Sequence, residues 1–147
     1  MNIRLPLVLL LLVFAIPLQA AEEHVDLAKQ VIKAENERLT AQIAEIEGFL
    51  ARARIGDPEM LAHYHAQLDA ARTAIALNAA LLERGDEPLL LAAARAITCD
   101  RMREAYAEIA KTKSEAGNRI PPRLEALRGE AKQLQEQLKK LKEPAGP

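Results

Sequence analysis

Residues 55–88 read IGDPEMLAHYHAQLDAARTAIALNAALLERGDEP, a long helix-forming stretch held between two near-copies of one punctuation signal. In Gly56-Asp57-Pro58 the glycine suits the left-handed position that ends a helix. The aspartate is a good N-cap, and the proline fits the first helical turn because its missing N–H would have no helical partner there. Gly85-Asp86-Glu87-Pro88 repeats the device. A third break follows at Gly117-Asn118-Arg119-Ile120-Pro121-Pro122, with a glycine stop and a stiff double proline. These breaks predict four helices, at about 22–54, 58–84, 88–116 and 122–142. Runs of β-branched and aromatic residues are missing, so the sequence carries no strand signal. The expected fold is all-α: an antiparallel bundle of four helices with coiled-coil-like heptad seams.

The apolar spacing supports that reading. In helix one, Val25, Ile32, Leu39 and Ile46 stand seven apart, with Lys29, Asn36, Ile43 and Leu50 as a second row. Helix two repeats the pattern with Leu61, Leu68, Ile75 and Leu82. From Ala70 to Leu82 it is apolar on nearly every side, interrupted by Arg72, Thr73 and Asn78. A helix apolar all round is usually buried on more than one side. The start of helix three, Leu89 to Ile97, is similar, so helices two and three are expected to form a central hairpin. Helix four carries a narrow stripe, Leu124, Leu127, Ala131, Leu134, Leu138 and Leu141, which closes a bundle or pairs with another chain. The unequal lengths of helices one and four lead us to expect an overhang.

Ahead of this domain stands a different kind of segment. Arg4 supplies a positive start, Leu5 to Ile16 is apolar and uncharged, Pro17 breaks the run, and Leu18-Gln19-Ala20 ends in a small residue. That is the three-part layout of a secretory signal peptide cleaved after Ala20. A spanning helix needs about 20 apolar residues, more than this run supplies. The expected organisation is a signal peptide over 1–20, a helical bundle domain over 21–143 and a disordered tail over 144–147. The expected location is periplasmic or secreted.

Composition then narrows the function classes. Removing Arg4 leaves 19 of the 20 basic residues against 21 acidic ones, a mature net charge of −2. Such a balance gives no overall attraction to nucleic acid. The aromatic residues after Ala20 are Phe49, Tyr64 and Tyr106, so the core must come from Leu, Ile and Ala. Alanine has the best helix propensity.

The chemistry-bearing residues form no constellation that points to catalysis. His63 and His65 lie two apart, on nearly opposite sides of a helix. Glu59 and His63 share a face, but a metal needs further ligands from facing helices. No Glu-x-x-His pair and no Cys-x-x-Cys-His haem motif occurs in the mature chain. Ser114 is the one serine, in a Lys/Glu-rich helix end without a partner base. The sequence therefore names no catalytic residue, no metal ligand and no cofactor.

What remains are candidate partner contacts. Asn36 lies in the seam of helix one, where it either fixes register and partner number or sits at a wet edge. Cys99 is the sole cysteine and cannot close an internal disulfide; it is either a small buried side chain or one half of an intermolecular bridge. Lys139, Lys140 and Lys142 either complement the helix C-terminus or meet an acidic partner or membrane surface. Leu39-Thr40-Ala41-Gln42 resembles the Leu-Thr-x-x-Gln repeat of periplasmic stress-sensor helical proteins, with its glutamine one residue early and a single occurrence. The expected function is an exported interaction or structural protein, a subunit or adaptor of an envelope assembly that performs no catalysis, with a homodimer through helix one or helix four as one form. The alternatives are a holdase-type periplasmic chaperone, which grips clients between helices, and a bundle that binds a small ligand, a metal or haem.

Overall fold

A computed structural model describes residues 6–117 and 121–142, with side chains from residue 22 onward. It is all-helical: α1 Pro6–Arg52, α2 Pro58–Arg84, α3 Glu87–Ala116 and α4 Pro122–Lys142, with no strand among the described residues. The opening residues 1–5 and the expected tail 144–147 lie outside the described residues.

The helix ends follow from local chemistry. The Asp57 carboxylate accepts from the backbone N–H groups of Glu59 (2.9 Å) and Met60 (3.5 Å), so α2 starts where expected. Gly85 ends it at φ 66° and ψ 22°, and its N–H donates to the Leu81 carbonyl. Asp86 caps α3 by accepting from the N–H of Leu89 at 3.2 Å. Two expectations need correction. Gly56 is not left-handed; among the described residues the positive-φ glycines are Gly85 and Gly117. α1 instead ends at Arg52 and gives way to an irregular connection over residues 53–57, which reverses the chain into α2. At its other end, α1 starts at Pro6 rather than Glu22 and runs through Pro17. Proline removes one donor from the helix but keeps a helical φ, and Leu18, Ala15 and Ala20 around it are strong helix formers.

Packing divides the molecule into two antiparallel hairpins, α1–α2 and α3–α4. Contact is most extensive between α3 and α4; α1 packs equally on α2 and α3, while α2 barely meets α3. The spatial order is therefore α2, α1, α3, α4, and the central pair is α1 and α3. The expected central hairpin of helices two and three is overturned. The apolar run of α2 cannot by itself say which neighbour it faces. α1 offers the stripe Leu39 and Ile46 against α2's Leu68 and Ala71, and all four are buried.

The two hairpins join through one apolar cluster. Val25, Ala28, Val31 and Ile32 of α1 meet Leu90 and Ala94 of α3 and Leu141 of α4, with Leu81 and Leu82 of α2 alongside. A second cluster, Ala105, Ile109, Leu124 and Ala131, belongs to α3 and α4 alone. The polar ties obey the same division. Every hydrogen bond between different helices, among the described residues, links partners of one hairpin. None of the described helices is long and apolar enough to cross a membrane.

Candidate functional site

Because α2 and α3 scarcely touch, a groove opens between the hairpins with α1 as its floor. Arg38, Leu39 and Gln42 form that floor. Ala70, Ala71 and Ala74 of α2 make one wall and Glu104 of α3 the other, around a volume of ≈ 540 Å³. It narrows beside Asn78, Ile97, Asp100 and Arg101. The apolar strip is thus narrow and flanked by charge.

Arg38 organises the floor. Its Nε and Nη2 donate to the two carboxylate oxygens of Glu35 at 2.8 and 2.6 Å, a bidentate pair between residues three apart. That hydrogen bonding raises the Arg38 pKa above its ordinary value; partial burial opposes the rise, and the Glu35 and Glu104 charges add to it. Arg101 reaches Glu104 on its own helix (2.7 Å) and Glu130 of α4 (2.9 Å). Its chain joins the groove wall to the far helix.

The sequence-singled residues do not converge on one place. Asn36 is half-buried on the contact between α1 and α2, where its side-chain oxygen accepts from Asn78 Nδ2 at 2.8 Å. Its polar partner is thus inside the chain. Cys99 is half-buried on α3 and free. Lys139, Lys140 and Lys142 are exposed on the last turn of α4. Lys140 edges a shallow groove with Leu27 of α1 and Gln133, Glu136 and Gln137 of α4. His63 hydrogen-bonds Gln67 at 2.9 Å along its own helix. Among the described residues, no three His, Cys, Asp or Glu side chains come together in a way that could hold a metal ion.

Other polar positions escaped sequence reasoning. Thr98 is fully buried; its hydroxyl donates to the Ala94 carbonyl at 2.8 Å and accepts from Gln137 Nε2 at 2.9 Å. Arg95 Nε donates to the Leu141 carbonyl at 2.7 Å, supplying a partner to one of the orphan carbonyls at the end of α4. Both ties join residues far apart in sequence, and no local spacing signals them. The Glu35–Arg38 pair was open to detection, since residues three apart share a helix face.

The chain also leaves large apolar side chains in water. Phe49, Met60 and Leu61 are exposed near the α1–α2 connection, where the Phe49 and Tyr64 rings stand 5.2 Å apart. Leu77 on α2 is 66% exposed. Comparison with known proteins returns no matching family model, curated relative or solved structure.

Proposed function

We propose that this chain is an exported, periplasmic interaction protein, a subunit or adaptor of an envelope assembly that works through helix–helix contacts without catalysing a reaction. Export is supported by the charged, apolar and small-residue layout of the first twenty residues. Use of heptad seams is supported by burial of Val25, Ile32, Leu39 and Ile46 at seven-residue spacing. The observation that carries the reading is the apolar surface around the α1–α2 connection: Phe49, Met60 and Leu61 are exposed beside Tyr64. Contiguous exposed apolar surface marks contact sites for other macromolecules. A photo-crosslinker placed at Met60 tests the reading in intact cells. Adducts with an exported or membrane-bound protein are expected, while adducts confined to cytosolic proteins would overturn it.

A holdase-type chaperone is the second reading, favoured by the groove between the hairpins. Its alanine wall and Leu39 floor suit an extended apolar segment of an unfolded client. This reading requires the protein to slow aggregation of a denatured model client. A client that aggregates at the same rate with the protein present would remove it and leave the adaptor reading in place.

A further inference from the structure

The outer side of α2, turned away from Leu68, Ala71, Ile75 and Leu82, carries a second line of residues at alternating four- and three-residue spacing. Between the charged ends Glu59 and Arg84 run His63, Ala66, Ala70, Thr73, Leu77 and Ala80, all exposed, with Ala70 also at the rim of the groove between the hairpins. Alternation of this kind over about four heptads is the pattern of a helix-pairing seam. Among the described residues of the chain it has nothing to pair with, because α2 lies at the edge of the molecule and packs on α1.

We infer that this face is a homodimer interface, with a second copy of α2 laid antiparallel on the first. Two independent features choose that occupant and that direction. The first is shape. About a two-fold axis between Ala71 and Arg72, Leu77 lies opposite the partner's Ala66, and Ala70 lies opposite the partner's Thr73. The large residue meets a small one in each layer, and alanine-rich layers allow helix axes to approach to the short end of the ~8–10 Å range. A parallel pair would instead set Leu77 on Leu77 and alanine on alanine, leaving one layer crowded and its neighbours loose. The second feature is charge. In the same register Glu59 faces the partner's Arg84, and symmetry repeats the pair at the other end. Neither residue forms an ion pair among the described residues. The parallel arrangement would stack Glu59 on Glu59 and Arg84 on Arg84. From Glu59 to Arg84 the contact runs roughly 38 Å along the helix. This deepens the interaction reading above and rests on it only for the idea that the fold works through helix contacts.

Sedimentation of the purified full chain across a concentration series tests the interface. A monomer–dimer equilibrium is expected. Leu77→Glu puts a charge in the seam without touching the chain's own core, so helix content by circular dichroism should stay unchanged while the dimer is lost. Glu59→Arg sets like charges opposite each other at both ends and should weaken association on the order of tenfold. Adding Arg84→Glu restores opposite charges and should return most of that loss. A chain that is monomeric at every concentration, or a dimer indifferent to Leu77→Glu, overturns the inference. A monomer that still forms envelope adducts from Met60 would overturn the dimer alone and leave the interaction reading standing.

Discussion

Ile32→Ala is the perturbation that bears most directly on how the two hairpins are held together. Ile32 is 0% exposed, at the junction where α1 meets Leu90 and Ala94 of α3 and Leu141 of α4. The substitution removes three carbon atoms from that site. At ~0.8 kcal/mol for each buried methylene, the transfer loss is about 2.4 kcal/mol. The cavity left behind adds to it, because contributions from three helices fix the surrounding side chains, so the total should be about 3 kcal/mol. Domains of this size have about 5–15 kcal/mol of stability, so the variant should fold with a visibly lower margin. Urea unfolding monitored by helix ellipticity provides the assay. With a slope of about 2 kcal/mol per molar urea, the midpoint should fall by about 1.5 M at unchanged slope. Leu77→Ala, at a 66% exposed position of α2, serves as the control within the monomer and should stay within about 0.5 kcal/mol. A loss below about 1 kcal/mol at Ile32 would mean that the junction is not packed as described, and the two-hairpin account would fail.

Three further outcomes follow from individual contacts. Asn36→Ala should cost about 1–2 kcal/mol, because the half-buried Asn78 amide loses its acceptor, whereas Asn36→Leu with Asn78→Leu should cost less than the sum of the single changes in a double-mutant cycle. Thr98→Val, which keeps the shape of a fully buried side chain, should destabilise by about 1–3 kcal/mol by stranding Gln137 Nε2, and the stability of the Thr98→Val, Gln137→Leu pair should recover most of that in thermal unfolding. Gly85→Ala should lower stability by about 1 kcal/mol, since φ 66° is strained for a residue with a Cβ, while the open space around the site adds no clash.

The sequence made the elements legible and left their arrangement hidden. α2 and α4 run over the residues that the Asp-Pro and Pro-Pro signals mark, and α3 differs at its start by one residue. Caps act through their immediate neighbours, so a linear reading captures Asp57, Asp86 and the left-handed Gly85, although Gly56 shows that a glycine before a cap need not be left-handed. The start of α1 shows the limit of that approach: the helix expected from about Glu22 begins at Pro6 and runs on through Pro17. The neighbour of each apolar face was out of reach for a different reason. The run from Ala70 to Leu82 announces surface to be covered, but a single edge helix with a dimer seam and a doubly buried central helix carry the same pattern. Of the candidate contacts, Asn36 was identifiable as a seam asparagine, while its partner Asn78, 42 residues away, was not. Thr98, Arg95 and Arg101 act across the α3–α4 hairpin, and their roles depend on a register that only the folded chain defines.

The central claim is that this protein is exported and does its work by presenting apolar helix surface to other proteins. In-cell photo-crosslinking from Met60, with the cross-linked species recovered from the cell envelope and its N-terminus sequenced, tests both halves at once. The account predicts a discrete adduct whose own chain begins at Ala21, joined to an exported or membrane-bound protein. An uncut chain found in the cytosol, or an envelope chain that yields no adduct from Met60, would contradict it.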